Sequence, residues 1–313
     1  MSVLLFPGQG SQVVGMGNEF YTNFDVVKKI FHQADEKLNF KISKVILEGP
    51  ADKLQLTEVT QPAILTVSYS IFKVLKDEFN FDFTSFKYFA GHSLGEYSAL
   101  VCSNAIKFDD ALYLLQERGK AMQEAVPVGE GGMIAILGLK IEEVKKYFNS
   151  VIIKNGVCQI ANDNAEGQVI ASGDINSINE LQKFLKEKKI KSIPLKVSAP
   201  FHCELMKPAA TKMKEKIDNV EFTKPTIPII NNVTAQEESK PEAIKSLLVE
   251  QIYSTVKWRE SLINMNSKNI KNYVEIGPGK ALSGMVKRTL KNSNSFSINS
   301  IDDIKNLINE FKK

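Results

Sequence analysis

Apolar residues along the chain follow two alternating periods. Short, mostly apolar runs at 3–6, 88–90, 227–231 and 273–276 predict buried strands. Apolar positions three and four residues apart predict helices over 24–38, 64–75, 96–102, 109–124 and 302–311. Asp109 and Asp110 open the fourth of these, where acidic side chains suit the positive end of the helix dipole. The first strand runs into Pro7-Gly8-Gln9-Gly10-Ser11-Gln12, and the second runs into Gly91. Strand, turn and helix alternating in this way predict a parallel α/β sheet.

The pattern changes at Gly129-Glu130-Gly131-Gly132. A strand over 133–137, a helix over 141–148 and strands over 157–161 and 168–171 follow. The turn Asn162-Asp163-Asn164-Ala165-Glu166-Gly167 joins the last two strands. A helix over 175–188 and a strand over 192–197 complete the set. The order is βαββαβ, which predicts a ferredoxin-like unit. The expected organisation is a large α/β domain from 1–126 and 199–313, with a ferredoxin-like small domain, 127–198, inserted in it. The large domain is expected to resume after Ser198. The Lys-rich stretch 186–191 reads as a solvated helix end.

Composition narrows the function. The 313 residues carry 40 Lys plus Arg against 36 Asp plus Glu, a formal net charge of +4. That is too mild to indicate nucleic acid, and Arg118, Arg259 and Arg288 are the only arginines, so no Arg cluster clamps phosphates. Three cysteines with no C-x-x-C spacing exclude a zinc ribbon or redox pair, and three histidines make a His-rich metal site unexpected. The start of the chain lacks a basic signal-peptide region, and no apolar run approaches the roughly 18 residues of a membrane span. A cytoplasmic enzyme is the expectation.

Gly91-His92-Ser93-Leu94-Gly95 fits G-x-S-x-G, the turn that presents a serine nucleophile between a strand and a helix. The glycines allow the tight bend, and the following helix's first N–H groups can hold an oxyanion. The plainer reading is a Gly-lined turn with a capping Ser. A serine nucleophile needs a base. His32 reads as an ordinary helix residue. His92, adjacent to Ser93, reads as packing or as a hydrogen bond near the site. His202 remains as the candidate base, where the chain re-enters the large domain. No acid between Ser93 and His202 stands out as a third member, so a backbone carbonyl can fill that place. Arg118 shares a helical stripe with Leu114, Leu115 and Met122, so a guanidinium projects from an apolar face. Buried there it should meet a carboxylate, from the protein or from a substrate. Gln9, on the loop after the first strand, could supply an oxyanion donor or merely cap its own turn. The glycine clusters at 8–15 and 277–279 lack the third Gly of a dinucleotide site and the Lys of a P-loop.

These motifs together resemble the malonyl-CoA:acyl-carrier-protein transacylase family, acyltransferases of type II fatty-acid synthesis related to polyketide-synthase acyltransferase domains. The likeness runs from Phe6-Pro7-Gly8-Gln9-Gly10-Ser11-Gln12 to Glu275-Ile276-Gly277-Pro278-Gly279. Between them, in family order, stand Thr60-Gln61-Pro62-Ala63, the elbow with Glu96-Tyr97, Gln116-Glu117-Arg118-Gly119, Phe201-His202-Cys203 and Gln251-Ile252-Tyr253. The resemblance implies a hydrolase-like α/β large domain with the ferredoxin-like insertion. It implies Ser93 as nucleophile, His202 as base, the Leu94 and Gln9 backbone N–H groups as oxyanion donors and Arg118 as the malonyl carboxylate clamp. It places the Gln251 backbone carbonyl behind His202. His92 and Asn162 are expected to support the site. Phe201 stands where many bacterial relatives have Ser, which implies unbranched malonyl rather than methylmalonyl. Asp163 stands where Asn is usual. The implied partners are malonyl-CoA and acyl carrier protein, with no nucleic acid, membrane, metal or redox cofactor, and a monomer is expected. The rival readings are a serine hydrolase, a stand-alone polyketide acyltransferase and a non-enzymatic carrier-binding scaffold.

Overall fold

The computed structural model describes residues 1–150, 156–197 and 199–312. Its strands are β1 (Ser2–Phe6), β2 (Phe86–Gly91), β3 (Gly131–Leu137), β4 (Cys158–Ala165) and β5 (Gln168–Asp174). Then come β6 (Ser192–Pro194), β7 (Ile229–Ile230), β8 (Glu237–Glu238), β9 (Asn272–Ile276) and β10 (Asn294–Ile298).

The larger sheet has the order β10-β9-β1-β2-β7-β8. Every pairing in it is parallel except the short β7–β8 hairpin. All five β1 residues are buried, and they alternate between two cores. Leu4 and Phe6 face one apolar cluster; Val3 and Leu5 face another. A strand covered on both faces must be apolar throughout, which is why it reads as an unbroken run. Phe6 pairs with Gly91, so β1 and β2 end level with each other. The turns that follow them therefore emerge side by side at the carboxyl edge of the sheet, where α/β sheets hold their ligands.

The second sheet has the order β4-β5-β3-β6, with every pairing antiparallel. Its strands and the helices Ile141–Ser150 and Ile175–Glu187 follow in βαββαβ order, the ferredoxin-like arrangement. One face packs Ile134, Ile136, Val169 and Ala171 under these helices. Met133, Ala135 and Ile170 join the main core instead. Asp174 caps the second helix, its carboxylate accepting from the Ser177 N–H at 2.9 Å.

Several expected boundaries move. The turn expected over 162–167 shrinks to Glu166 and Gly167, because β4 continues through Asn162, Asp163 and Asn164. All three side chains are buried. Their turn-prone composition is overruled by polar partners on the larger sheet's side: the Asp163 N–H donates to the Val256 carbonyl at 3.0 Å. The strand expected over 192–197 stops at Pro194, since the Val197 N–H folds back to the Leu195 carbonyl. That expected over 227–231 keeps Ile229–Ile230 only, between Pro228, which has no N–H, and the turn at Asn231. The helix expected over 64–75 begins at Thr57 and reaches Lys73. Ser198, named as the junction, lies outside the described residues.

Candidate active site

The turn after β2 leads straight into the helix Gly95–Cys102. Gly91 and Gly95 are required by space. A Cβ on Gly91 would stand 1.9 Å from the Gly95 carbonyl, and one on Gly95 would stand 2.3 Å from the Phe6 oxygen. Between them Ser93 takes a φ of 54°, in the left-handed region that L side chains avoid. Such strain persists only where neighbours hold it. Here the Ser93 N–H donates to Asn232 Oδ1 at 2.7 Å, and Asn232 Nδ2 donates to the Gly91 carbonyl at 2.7 Å.

Ser93 Oγ lies 2.9 Å from His202 Nε2 although 109 residues separate them in sequence. On its other side, His202 Nδ1 lies 2.8 Å from the Gln251 carbonyl oxygen. A carbonyl can only accept, so Nδ1 carries the proton and the Nε2 lone pair faces the serine hydroxyl. Burial and the nearby Arg118 guanidinium push His202 down to about 3, so the imidazole is neutral at physiological pH.

Arg118 projects from the helix Phe108–Glu124 and is 1% exposed. Nη2 donates to Ser93 Oγ at 3.1 Å and to Gln251 Oε1 at 2.9 Å; Nη1 donates to Gln61 Oε1 at 2.8 Å. Nε has no partner. Among the described residues no carboxylate lies within ion-pair distance of this guanidinium, so the protein supplies amide oxygens where a carboxylate was one expectation. The acid closest in the network is Glu96, which is fully buried and reaches Arg118 only through Gln251.

These groups open onto a cavity of about 350 Å³. Gln9, Leu94, Asn162 and Phe201 also line it, as do His92 and Gln61. Among the described residues the Gln9 and Leu94 backbone N–H groups have no hydrogen-bond partner. His92 Nε2 meets Asn164 Oδ1 at 2.8 Å, and its ring packs edge-on against Trp258. Asp163 is paired with Arg259 at 3.0 Å and ties β4 to the helix Trp258–Ser267. His32 sits exposed beside Glu36. Sequence reasoning missed Gln61, Asn231 and Asn232 as site residues and gave Glu96 no role. Each is a polar residue in a buried stretch, and only at Gln61 does the surrounding apolar pattern mark that contrast.

The chain matches the acyl transferase domain model over residues 3–308. It is 42% identical over 311 residues to a malonyl CoA-acyl carrier protein transacylase of Bacillus subtilis, covering 99% of this chain and 96% of the relative. A relative of the same description from Escherichia coli K12 is 38% identical, with 94% of each chain covered. The crystal structure of an acyl-carrier-protein-S-malonyltransferase from Bartonella henselae superposes with a TM-score of 0.96 at 38% identity, covering 100% of this chain and 99% of that one. A malonyl-transacylase solved with its type II PKS acyl-carrier protein superposes with a TM-score of 0.94 at 36% identity, covering 99% of each. A two-sheet scaffold, a serine on a strained elbow and a match along nearly its whole length place this chain in the acyl transferase domain family.

Proposed function

We propose that the chain moves a malonyl group from malonyl-CoA to the phosphopantetheine thiol of acyl carrier protein, by way of a malonyl ester on Ser93. His202 Nε2 takes the Ser93 proton as Oγ attacks the thioester carbonyl. The Leu94 and Gln9 N–H groups hold the oxyanion. The C–S bond breaks, and His202 returns the proton to the departing CoA thiolate. The carrier thiol then gives its proton to His202 and attacks the ester, and as the C–O bond breaks His202 returns the proton to Ser93 Oγ. No metal or redox cofactor takes part. Phe201 narrows the cavity toward an unbranched acyl group. One chain supplies every group in this scheme, which supports a monomer as the working unit, and the cytoplasm is its proposed location. No helix among the described residues is long and apolar enough to cross a membrane.

One observation carries this reading: a buried guanidinium with no carboxylate at ion-pair distance among the described residues stands 3.1 Å from the nucleophile. Burying an unpaired charge is costly, so the site is built for an acid that arrives from outside. A serine hydrolase has no use for such a group. The test is intact-mass spectrometry after malonyl-CoA is supplied without carrier. The protein should gain one malonyl group, mapped to Ser93, and lose it when holo carrier protein is added. No adduct, or an adduct elsewhere, overturns the assignment.

A further inference from the structure

We propose that Glu96 is a positioning residue for acyl selection: its carboxylate orients the Gln251 side-chain amide, and that amide holds Arg118 where a malonyl carboxylate must bind. The proposal rests on the malonyl-transfer reading.

Glu96 sits in the first turn of the helix Gly95–Cys102, fully buried. Among the described residues it has no ion-pair partner. Every polar group that reaches it is a donor. Asn231 Nδ2 donates to Oε1 at 2.6 Å; the Asn232 N–H and Gln251 Nε2 donate to Oε2 at 3.1 and 2.8 Å. Asn231 cannot turn its amide over, because its Oδ1 accepts from the Val233 and Thr234 N–H groups at 2.8 and 3.2 Å. Only an ionised carboxylate offers acceptors in all these directions and no donor.

The consequence passes through Gln251. Its Nε2 faces Glu96 and the Ser93 carbonyl, the latter at 3.1 Å, so its Oε1 must face Arg118. Arg118 is therefore held by two amide oxygens, those of Gln61 and Gln251, and the second is aimed by Glu96. An amide at position 96 would turn an N–H toward one of these three donors. Asn231 and the Asn232 backbone are held by their own turn, so Gln251 is the group free to rotate. Rotated, it would offer its NH₂ to Arg118 and release the guanidinium. A proton on Glu96 acts in the same direction. Burial pushes Glu96 up to about 7, against the pull of the Gln251, Asn232 and Asn231 hydrogen bonds and of Arg118 from the neighbouring helix. The other titratable group facing it is Tyr97, on its own helix.

The experiment measures kcat and KM with malonyl-CoA and acetyl-CoA for the wild type, Glu96→Gln, Arg118→Ala and the double variant. In Glu96→Gln the malonyl kcat/KM should fall about tenfold, mainly through KM, while the acetyl value moves less than about threefold. On the Arg118→Ala background the same change should cost no further malonyl preference, because the two residues act in one chain of contacts. The wild-type preference for malonyl should fall as the pH drops from roughly 8 to roughly 6, and Glu96→Gln should show no such slope. Equal losses with both donors would assign Glu96 a packing role only and overturn the proposal. So would full additivity with Arg118→Ala, or a slope that survives in Glu96→Gln. The wild-type pH profile decides the matter even where a variant fails to fold. A wild type that never prefers malonyl strikes the functional reading itself rather than Glu96.

Discussion

Arg118 brings a full charge into a place where an unpaired charge costs several kcal/mol. Two amide oxygens and a hydroxyl solvate it without neutralising it. That leaves its electrostatic capacity free for a substrate acid, in a setting where low dielectric strengthens the attraction. Arg118→Ala should therefore cut malonyl transfer about 100-fold while acetyl transfer survives or rises, read by competing the two donors for one carrier. Equal loss with both would count against the clamp. At this scale the sequence is informative where one residue contradicts its surroundings. The apolar stripe of Leu114, Leu115 and Met122 by itself marks the Arg118 guanidinium as buried, and the flanking glycines by themselves mark Ser93 as sitting on a tight turn. Glu96, Asn231 and Asn232 carry no such local mark. They meet across separate elements, at sequence separations of 135 and 136 residues, and no local period records such a meeting.

Elements are legible in the sequence where burial is one-sided or complete. The strands β1, β2 and β9 are mostly apolar because both faces are covered. The helix Ile175–Glu187 has an acidic cap and a clear apolar stripe. The helices Lys207–Asp218, Pro241–Gln251, Trp258–Ser267 and Ala281–Thr289 escape such a reading, as does β10, because polar residues interrupt their apolar positions and tertiary packing decides their state. The elbow shows how an element fixes chemistry. Gly95→Ala would drive a methyl to 2.3 Å from the Phe6 carbonyl. The variant should lose about 1–3 kcal/mol or more of stability in denaturant melts and fail to acylate Ser93. Gly284, inside the helix Ala281–Thr289, has open space at its Cβ. Gly284→Ala should stabilise the protein by about 0.5–1 kcal/mol and leave acylation unchanged.

Across the whole molecule, the site forms where the two sheets meet. Ser93, Arg118 and Gln251 come from the larger unit, while Asn162, Asn164 and Ile170 of the second sheet wall the cavity. Beside the edge strand β6, Lys183, Lys186, Lys189 and Lys191 line a groove, and the chain leads from there to Lys196 in the cavity wall. Under the proposed transfer, that charge suits a carrier with an acidic face. The half-reaction with the carrier should slow severalfold as ionic strength rises from about 0.05 to about 0.5 M, measured by stopped transfer from preloaded enzyme. A rate indifferent to salt would exclude electrostatic docking. Residue 251 is employed twice in this assembly: its main chain secures the imidazole, and its side chain secures the guanidinium. The first task needs only a peptide oxygen, which any amino acid possesses. Substitution at 251 can therefore alter which acyl groups are accepted without disarming the base, so the two properties can diverge independently as the enzyme evolves.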